Sequence, residues 1–423
     1  MKRLTDSQVI SRTAQLAVAC GLGGPECLKG KVLHLYHSNP AYPLMLAIAK
    51  EAYKAGVVRV DYTTWSPPAD ALHVRYATDK SLINIPRTWS DRWNDLVRSR
   101  SATLRIEGTD EPLALANCDA KRVSDLTAAR IHARKRFYKE GLAPSRTPWS
   151  IVPFATEGWG KLVFPRLSAE KGRQRLQDAF VDILELQHPD FIERWKARGK
   201  RIERRSKLLD KANIKALRFV GPGTDLTVGL SEKARFGGGM MYRGRRPFFA
   251  NLPTFENFTT PHKDEANGVV RMTRPILING QVVDGLRVWF KNGKVQKFTA
   301  RRGAKAFAAM LKTDEGASFL GEVALVGIND SRIFQTGIVF KNILLDENAA
   351  CHIAFGRAYP DRLAGGVRMS KTQRAKHGCN DSKVHLDCMI SDKNTTVYAI
   401  LRDGRTIKVL ENGAWVGQFA PTA

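Results

Sequence analysis

Six residues in the second half of this 423-residue chain are of the types that hold divalent metals. Glu256 sits in NLPTFENFTTPH and Glu322 in LGEVALV. His352 and Tyr359 sit in DENAACHIAFGRAYP, and His385 and Asp387 in VHLDCMI. VHLDCMI is apolar except for His385 and Asp387. Read as a strand, it sends residues two apart to one side, so the imidazole and the carboxylate converge. An ordinary His–Asp hydrogen bond gives the same pattern. Glu322 interrupts an apolar run; it either faces water from an edge strand or meets a cation. Glu256 in its loop is a ligand or a turn cap. The small residues after His352 let the backbone approach a site closely, although a lone histidine or a Tyr-Pro pair also suits packing. Taken together, imidazole and carboxylate groups of intermediate hardness suit Zn²⁺, Co²⁺ or Mn²⁺. More than four such groups exceed one tetrahedral zinc. Two ions about 3.5–4 Å apart, sharing a carboxylate and a water, use them all and point to hydrolysis.

These residues need elements to position them. The first half alternates strand and helix signals: strands at 31–37, 57–65, 101–108 and 149–156, an amphipathic helix at 41–56 and a basic helix at 126–141. That rhythm predicts a parallel-sheet α/β domain. Residues 166–216 read as mostly helical. After them, 221–230, 274–300 and 401–415 are short alternating runs, broken in most cases by Asn-Gly or Asp-Gly, which predict β-hairpins. A helix is expected at 304–317. The fold class is therefore α/β plus α+β: an N-terminal α/β domain over 1–185, a basic helical connector over 186–215, and a β-rich metal-binding catalytic domain over 216–423.

No apolar run is long enough for a membrane span, and the N-terminus lacks a signal-peptide core, which predicts a cytoplasmic protein. The six cysteines form no CxxC pair and no disulfide framework. Cys351 and Cys388 adjoin candidate ligands but read better as small buried residues. The net charge of +27 attracts nucleic acid, anionic surfaces or acidic partners. Residues 193–207 carry eight Lys/Arg with Trp195 among them, and 121–136 is also basic. These give an alternative reading, a nucleic-acid or anionic-surface binder on the same fold, against the plainer one of solvated helix faces. No RNP, KH, helix-turn-helix or zinc-finger signature accompanies them.

The five segments GPGTDLTVGL, NLPTFENFTTPH, DEGASFLGEVALV, DENAACHIAFGRAYP and NDSKVHLDCMI resemble, in order, the signature segments of the M29 family of metallo-aminopeptidases. The resemblance implies an N-terminal α/β domain, a metal-bearing C-terminal domain and a homodimer. It implies removal of N-terminal residues from peptides by a water activated by two divalent ions. It places metal ligands at Glu256, Glu322, His352, Tyr359, His385 and Asp387, with Glu347 as a further ligand or supporting group. Of these, Glu256 or Glu322 relays the proton and Tyr359 stabilises the oxyanion; which glutamate is the base stays open. Three positions depart from the family. Phe255 replaces the first glutamate of a Glu-Glu pair, Cys388 a phenylalanine and Arg332 a proline. A third reading, a scaffold without activity, rests on Phe255 alone.

Overall fold

The computed structural model describes residues 3–278 and 280–421. They divide into two units, Met1–Lys200 with Gly239–Thr254, and Arg201–Gly238 with Phe255–Ala423. The change of unit falls inside one helix, and the excursion at 239–254 returns to the first unit.

In the first unit, β1 (Val32–His37), β2 (Arg59–Thr64), β3 (Ala102–Glu107) and β4 (Trp149–Pro153) form a parallel sheet of order β2-β1-β3-β4. Parallel neighbours need crossovers, and helices supply them. One is α1 (Tyr42–Lys54), which opens with a proline in its first turn and is followed by Gly56 at φ 86°. The four strands and α1 lie where the sequence predicts. The basic helix starts earlier than expected, at Ala120, because the Asp119 side chain caps the Arg122 N–H at 2.8 Å; its α-helical part ends at Ala133 and a π-helical turn follows over Phe137–Leu142.

The basic segments spend much of their charge internally. Arg130 pairs with Asp70 at 2.6 Å, Lys121 with Asp125 at 2.7 Å, and Arg122 with Asp79. Helix α2 (Phe191–Lys211) buries Trp195 completely, with the indole N–H donating to the Leu184 carbonyl at 2.9 Å. Arg194 and Arg198 grip Glu185, each at 2.7 Å. Arg205, buried, donates to Asp330 at 3.1 Å. Trp195 is therefore core, not a platform for bases, because its ring supplies apolar area to the first unit. Among the described residues no helix is long and apolar enough to cross a membrane.

The second unit contains an eight-stranded antiparallel sheet. Its order is Lys294–Thr299, Arg287–Lys291, Pro261–Arg271, Thr224–Leu230, Ile214–Gly221, Thr396–Leu401, Thr406–Glu411 and Ala414–Trp415. The predicted hairpins are here, except that Ile276–Ile278 and Gln281–Val283 pair in a separate two-stranded sheet. Asn292-Gly293 and Asn412-Gly413 turn with both residues at positive φ. The turn at Asn279 lies outside the described residues. The predicted helix 304–317 stops at Leu311, followed by a 3₁₀ turn over Glu315–Ser318. A second sheet holds β5 (Asn257–Thr259), β6 (Leu320–Leu325), β7 (His352–Gly356) and β8 (His385–Met389) in the order β8-β7-β6-β5, all antiparallel. One apolar cluster draws on both sheets, including Phe219, Val228, Val288, Phe290, Val323, Ile353, Phe355 and Leu386. Phe355 stacks on Phe290 at 5.8 Å and meets Phe307 edge-on at 5.3 Å. The small sheet is thus apolar on one face and free to carry chemistry on the other.

Trp195→Ala should lower the unfolding free energy by about 3–5 kcal/mol. Urea titration followed by circular dichroism checks it; a stability unchanged to within experimental error would return Trp195 to the surface.

Candidate metal centre

Register explains how distant segments meet. Directly opposed residues in antiparallel strands share a face. Glu322 opposes Ala354, which opposes Asp387; Ala324 opposes His352; Gly356 opposes His385. Glu322, His352, His385 and Asp387 therefore stand on one face, separated by Ala324, Ala354 and Gly356. Those small residues leave room for the four larger side chains between them. Val323, Ile353, Phe355, Leu386 and Cys388 point the other way, into the core. β6 is interior, paired on both sides, so Glu322 is no edge-strand residue facing water. Glu256 immediately precedes β5 and is buried.

The distances define two groups. Glu256, Glu322 and His352 form the first: His352 Nε2 lies 3.3 Å from Glu256 Oε2 and 3.9 Å from Glu322 Oε1. Glu322, His385 and Asp387 form the second: His385 Nε2 lies 3.1 Å from Glu322 Oε2 and 3.4 Å from Asp387 Oδ1. Glu322 belongs to both groups, one oxygen toward each. The Tyr359 hydroxyl lies 3.2 Å from His385 Nε2. Glu347 falls in neither group but is close by: it is buried, shares a hydrogen bond with Asp387 and accepts from Asn348 Nδ2 at 3.3 Å. All seven residues singled out from the sequence are thus gathered in one place.

Both imidazoles are oriented in the same way. His352 Nδ1 faces the Ala350 carbonyl at 3.3 Å, and His385 Nδ1 faces the Arg357 carbonyl at 2.7 Å. Donation from Nδ1–H to a carbonyl fixes the tautomer and leaves Nε2 toward the site, as in histidines that ligate metals. The second acceptor depends on a bulge. The β6–β7 register shifts between Leu320 and Glu322, and a Cβ on Gly321 would meet the Gly356 and Arg357 carbonyl oxygens at 2.3 and 2.4 Å.

The electrostatics are those of a crowded buried set. Burial, opposed by His385, raises the Glu322 carboxyl to about 7. Burial and the charges of Asp387, Glu256 and Glu322 hold Glu347 well above the usual range. Burial disfavours the charged imidazoles, but their acidic neighbours outweigh it. Glu256 above all holds His352 at about 9, and Asp387 and Glu322 hold His385 at about 10. Burial pushes the Tyr359 hydroxyl upward, so it remains a donor. Without further positive charge the set therefore keeps protons on groups that would ordinarily have lost them. Cys351 and Cys388 are buried, their thiols pushed up by burial, and the Cys351 sulfur engages the Val326 backbone.

The sequence reading missed Asn348. Its side chain accepts the Phe255 N–H at 2.7 Å and donates to Leu344 and Glu347, tying the Glu256 segment to the Glu347 segment. Its place between Glu347 and His352 was the available signal. Phe255 itself is fully buried, and the carboxylate at the cluster is that of Glu256.

The model of the thermophilic metalloprotease family, M29, matches residues 6–415. The chain belongs to that family. It is 35% identical over 419 residues to aminopeptidase T of Thermus aquaticus, covering 96% of this chain and 98% of that protein. It is 33% identical over 415 residues to aminopeptidase 2 of Geobacillus stearothermophilus, covering 97% and 98%. The solved structure of wild-type AmpT from Thermus thermophilus superposes with a TM-score of 0.88 at 33% identity, over 98% of this chain and all of that one. The M29 fold, with its parallel α/β sheet and β-rich second region, is thus the one expected from the sequence.

Phe255→Glu should destabilise the protein by about 3 kcal/mol or more, because it buries a carboxylate at a fully enclosed position. Thermal unfolding of the variant measures this; an unchanged midpoint would mean that position 255 has access to a cation.

Proposed function

We infer that the chain is a metallo-aminopeptidase that removes N-terminal residues from peptides, and that its two groups of ligands each hold a divalent ion. The carrying observation is Glu322, whose two oxygens address the two groups separately. The donor set suits the ions. Four buried carboxylates are costly alone, two dications balance their charge, and both Nε2 atoms are presented by fixed tautomers. Glu256, Glu322 and His352 would hold one ion, and Glu322, His385 and Asp387 the other, with Tyr359 beside the second. Zn²⁺, Co²⁺ and Mn²⁺ suit this mixture of nitrogen and oxygen donors. The ions, when bound, lower the pKa of water and polarise the scissile carbonyl.

The chain's own residues have distinct tasks. A carboxylate committed to ligation is a poor base, which favours Glu347 over Glu256 and Glu322 as the group that holds a proton and passes it to the leaving amine. Its position beside Asp387 but outside both groups supports that assignment. Tyr359, which stays protonated, donates to the oxygen that gains negative charge in the transition state. The relatives lend no support to the nucleic-acid reading, and Trp195, its aromatic, is buried. The six buried, free cysteines accord with a reducing cytoplasm, and the resemblance supports a homodimer.

Chelation should abolish hydrolysis of aminoacyl chromogenic amides, and Zn²⁺, Co²⁺ or Mn²⁺ should restore it; activity surviving complete metal removal would refute the reading. Metal analysis should find two ions per chain. Glu322→Gln should lose both ions, whereas His385→Ala combined with Asp387→Ala should lose the ion that Glu322, His385 and Asp387 would hold, and activity with it. Glu347→Gln should retain them while kcat falls by about 100-fold or more. A Glu347→Gln enzyme of normal kcat would return the proton relay to Glu256 or Glu322.

Metal binding should also release protons. His352 and His385 are protonated below about 9 and about 10 in the metal-free site, and a ligating imidazole must be neutral. Loading at pH 7 therefore expels both protons, and apparent affinity weakens as pH falls. Calorimetry in buffers of different ionisation enthalpy counts the protons; a count of zero at pH 7 would contradict this account.

A further inference from the structure

The connection from β7 to β8, residues 357–384, carries Tyr359 and an excess of positive charge. It holds seven Lys/Arg against Asp361 and Asp381. Its ends are fixed at the metal centre. The Arg357 N–H donates to the Val384 carbonyl at 2.7 Å, and the Ala358 N–H to the Asn380 carbonyl at 3.0 Å. Ala358, Leu363 and Cys379 form a small apolar cluster of its own. The Arg362 guanidinium lies over the Phe258 ring at 5.3 Å, and that ring meets Tyr359 at 5.5 Å.

Some of the charge is compensated: Arg362 pairs with Asp361 at 2.9 Å and Lys371 with Asp381 at 2.6 Å. Asp314 is engaged by the Ser382 hydroxyl and the Lys383 N–H. Among the described residues no carboxylate lies within ion-pair distance of Arg368, Arg374, Lys376 or Lys383. Arg368, Lys376 and Lys383 are exposed, and Lys383 is two residues from His385. Exposed cations without an ion-pair partner are available to attract an anionic ligand. A peptide cleaved after its first residue sends its remaining residues out of the site. A segment anchored at both ends on the ligand-bearing strands is placed to meet them.

We propose that this segment gives the enzyme a preference for peptides with Asp or Glu a few residues beyond the scissile bond. The inference rests on the aminopeptidase reading and names the substrate class of that site. A few exposed cations acting within a Debye length of about 8 Å predict a preference of about fivefold.

The test compares kcat/KM for two C-terminally amidated peptides, Leu-Ala-Asp-Asp-Gly and Leu-Ala-Asn-Asn-Gly, which match in shape and differ in charge. The metal-loaded full chain should favour the acidic peptide by about fivefold at about 20 mM salt and lose the preference at about 0.5 M. The triple variant R368S/K376S/K383S should bring the low-salt ratio toward one. A ratio near one in the unsubstituted enzyme, or one that neither salt nor the variant changes, overturns the preference while the neutral peptide is still cleaved. Cleavage of neither peptide overturns the aminopeptidase reading, and this inference with it.

Discussion

Glu322, Asp387 and two imidazoles share one buried face of a four-stranded sheet, Glu256 and Glu347 are brought against them from adjoining segments, and the rest of the second unit is arranged around that concentration of charge. Burial makes isolated anions expensive. The protons retained by Glu322, Glu347, His352 and His385 are the chain's response in the metal-free site. Two dications would replace those protons with fixed charge of the right size. The same low-dielectric surroundings that make the empty arrangement costly strengthen every interaction within the filled one.

Holding such a set requires that the strands do not slip. A shift of one residue would send Glu322, His352 and Asp387 into the core and Val323, Ile353 and Cys388 into the site. The register is pinned from the apolar side, where Phe355 is held by Phe290 and Phe307. It is pinned at the strand ends by polar contacts. Asn380 donates to the Gly316 and Gly356 carbonyls, and Asn348 joins the Phe255 backbone to Glu347. The bulge at Gly321 lets the Arg357 carbonyl reach His385. The geometry of the cluster is therefore set by backbone acceptors and two buried amides as much as by the types of its charged residues.

The strands of the first unit and the hairpins of the second were legible because each rests on local signals, period-two alternation and Gly-containing turns. The ligand types were legible because charged residues stand out in apolar segments such as LGEVALV and VHLDCMI. Periodicity also placed His385 and Asp387 on one side. It could not place Glu322 inside the sheet, because strand order is a long-range property with no local trace. Asn348 was missed for the same reason: its partners are brought to it by the meeting of two segments. The start of the basic helix was misplaced because Asp119 caps it well before its apolar positions become regular. Trp195 looked available because basic neighbours suggest solvent, yet the arginines around it turn inward to Glu185.

Phe255 gains a physical meaning in this setting. The family's paired glutamates would add a fifth carboxylate beside a set of four. Two dications balance four carboxylates, and a fifth would need a proton or a further cation. Phe255 is fully buried, and its backbone N–H is already taken by Asn348. Its neighbour Glu256 is the group that reaches His352. The segment therefore separates two roles that adjacent glutamates would blur: residue 255 secures the loop through packing and its backbone, and residue 256 supplies the charge. The departure from the family removes a carboxylate that this arrangement of charges does not require, and it leaves the cluster of Glu256, Glu322, His352, His385 and Asp387 whole.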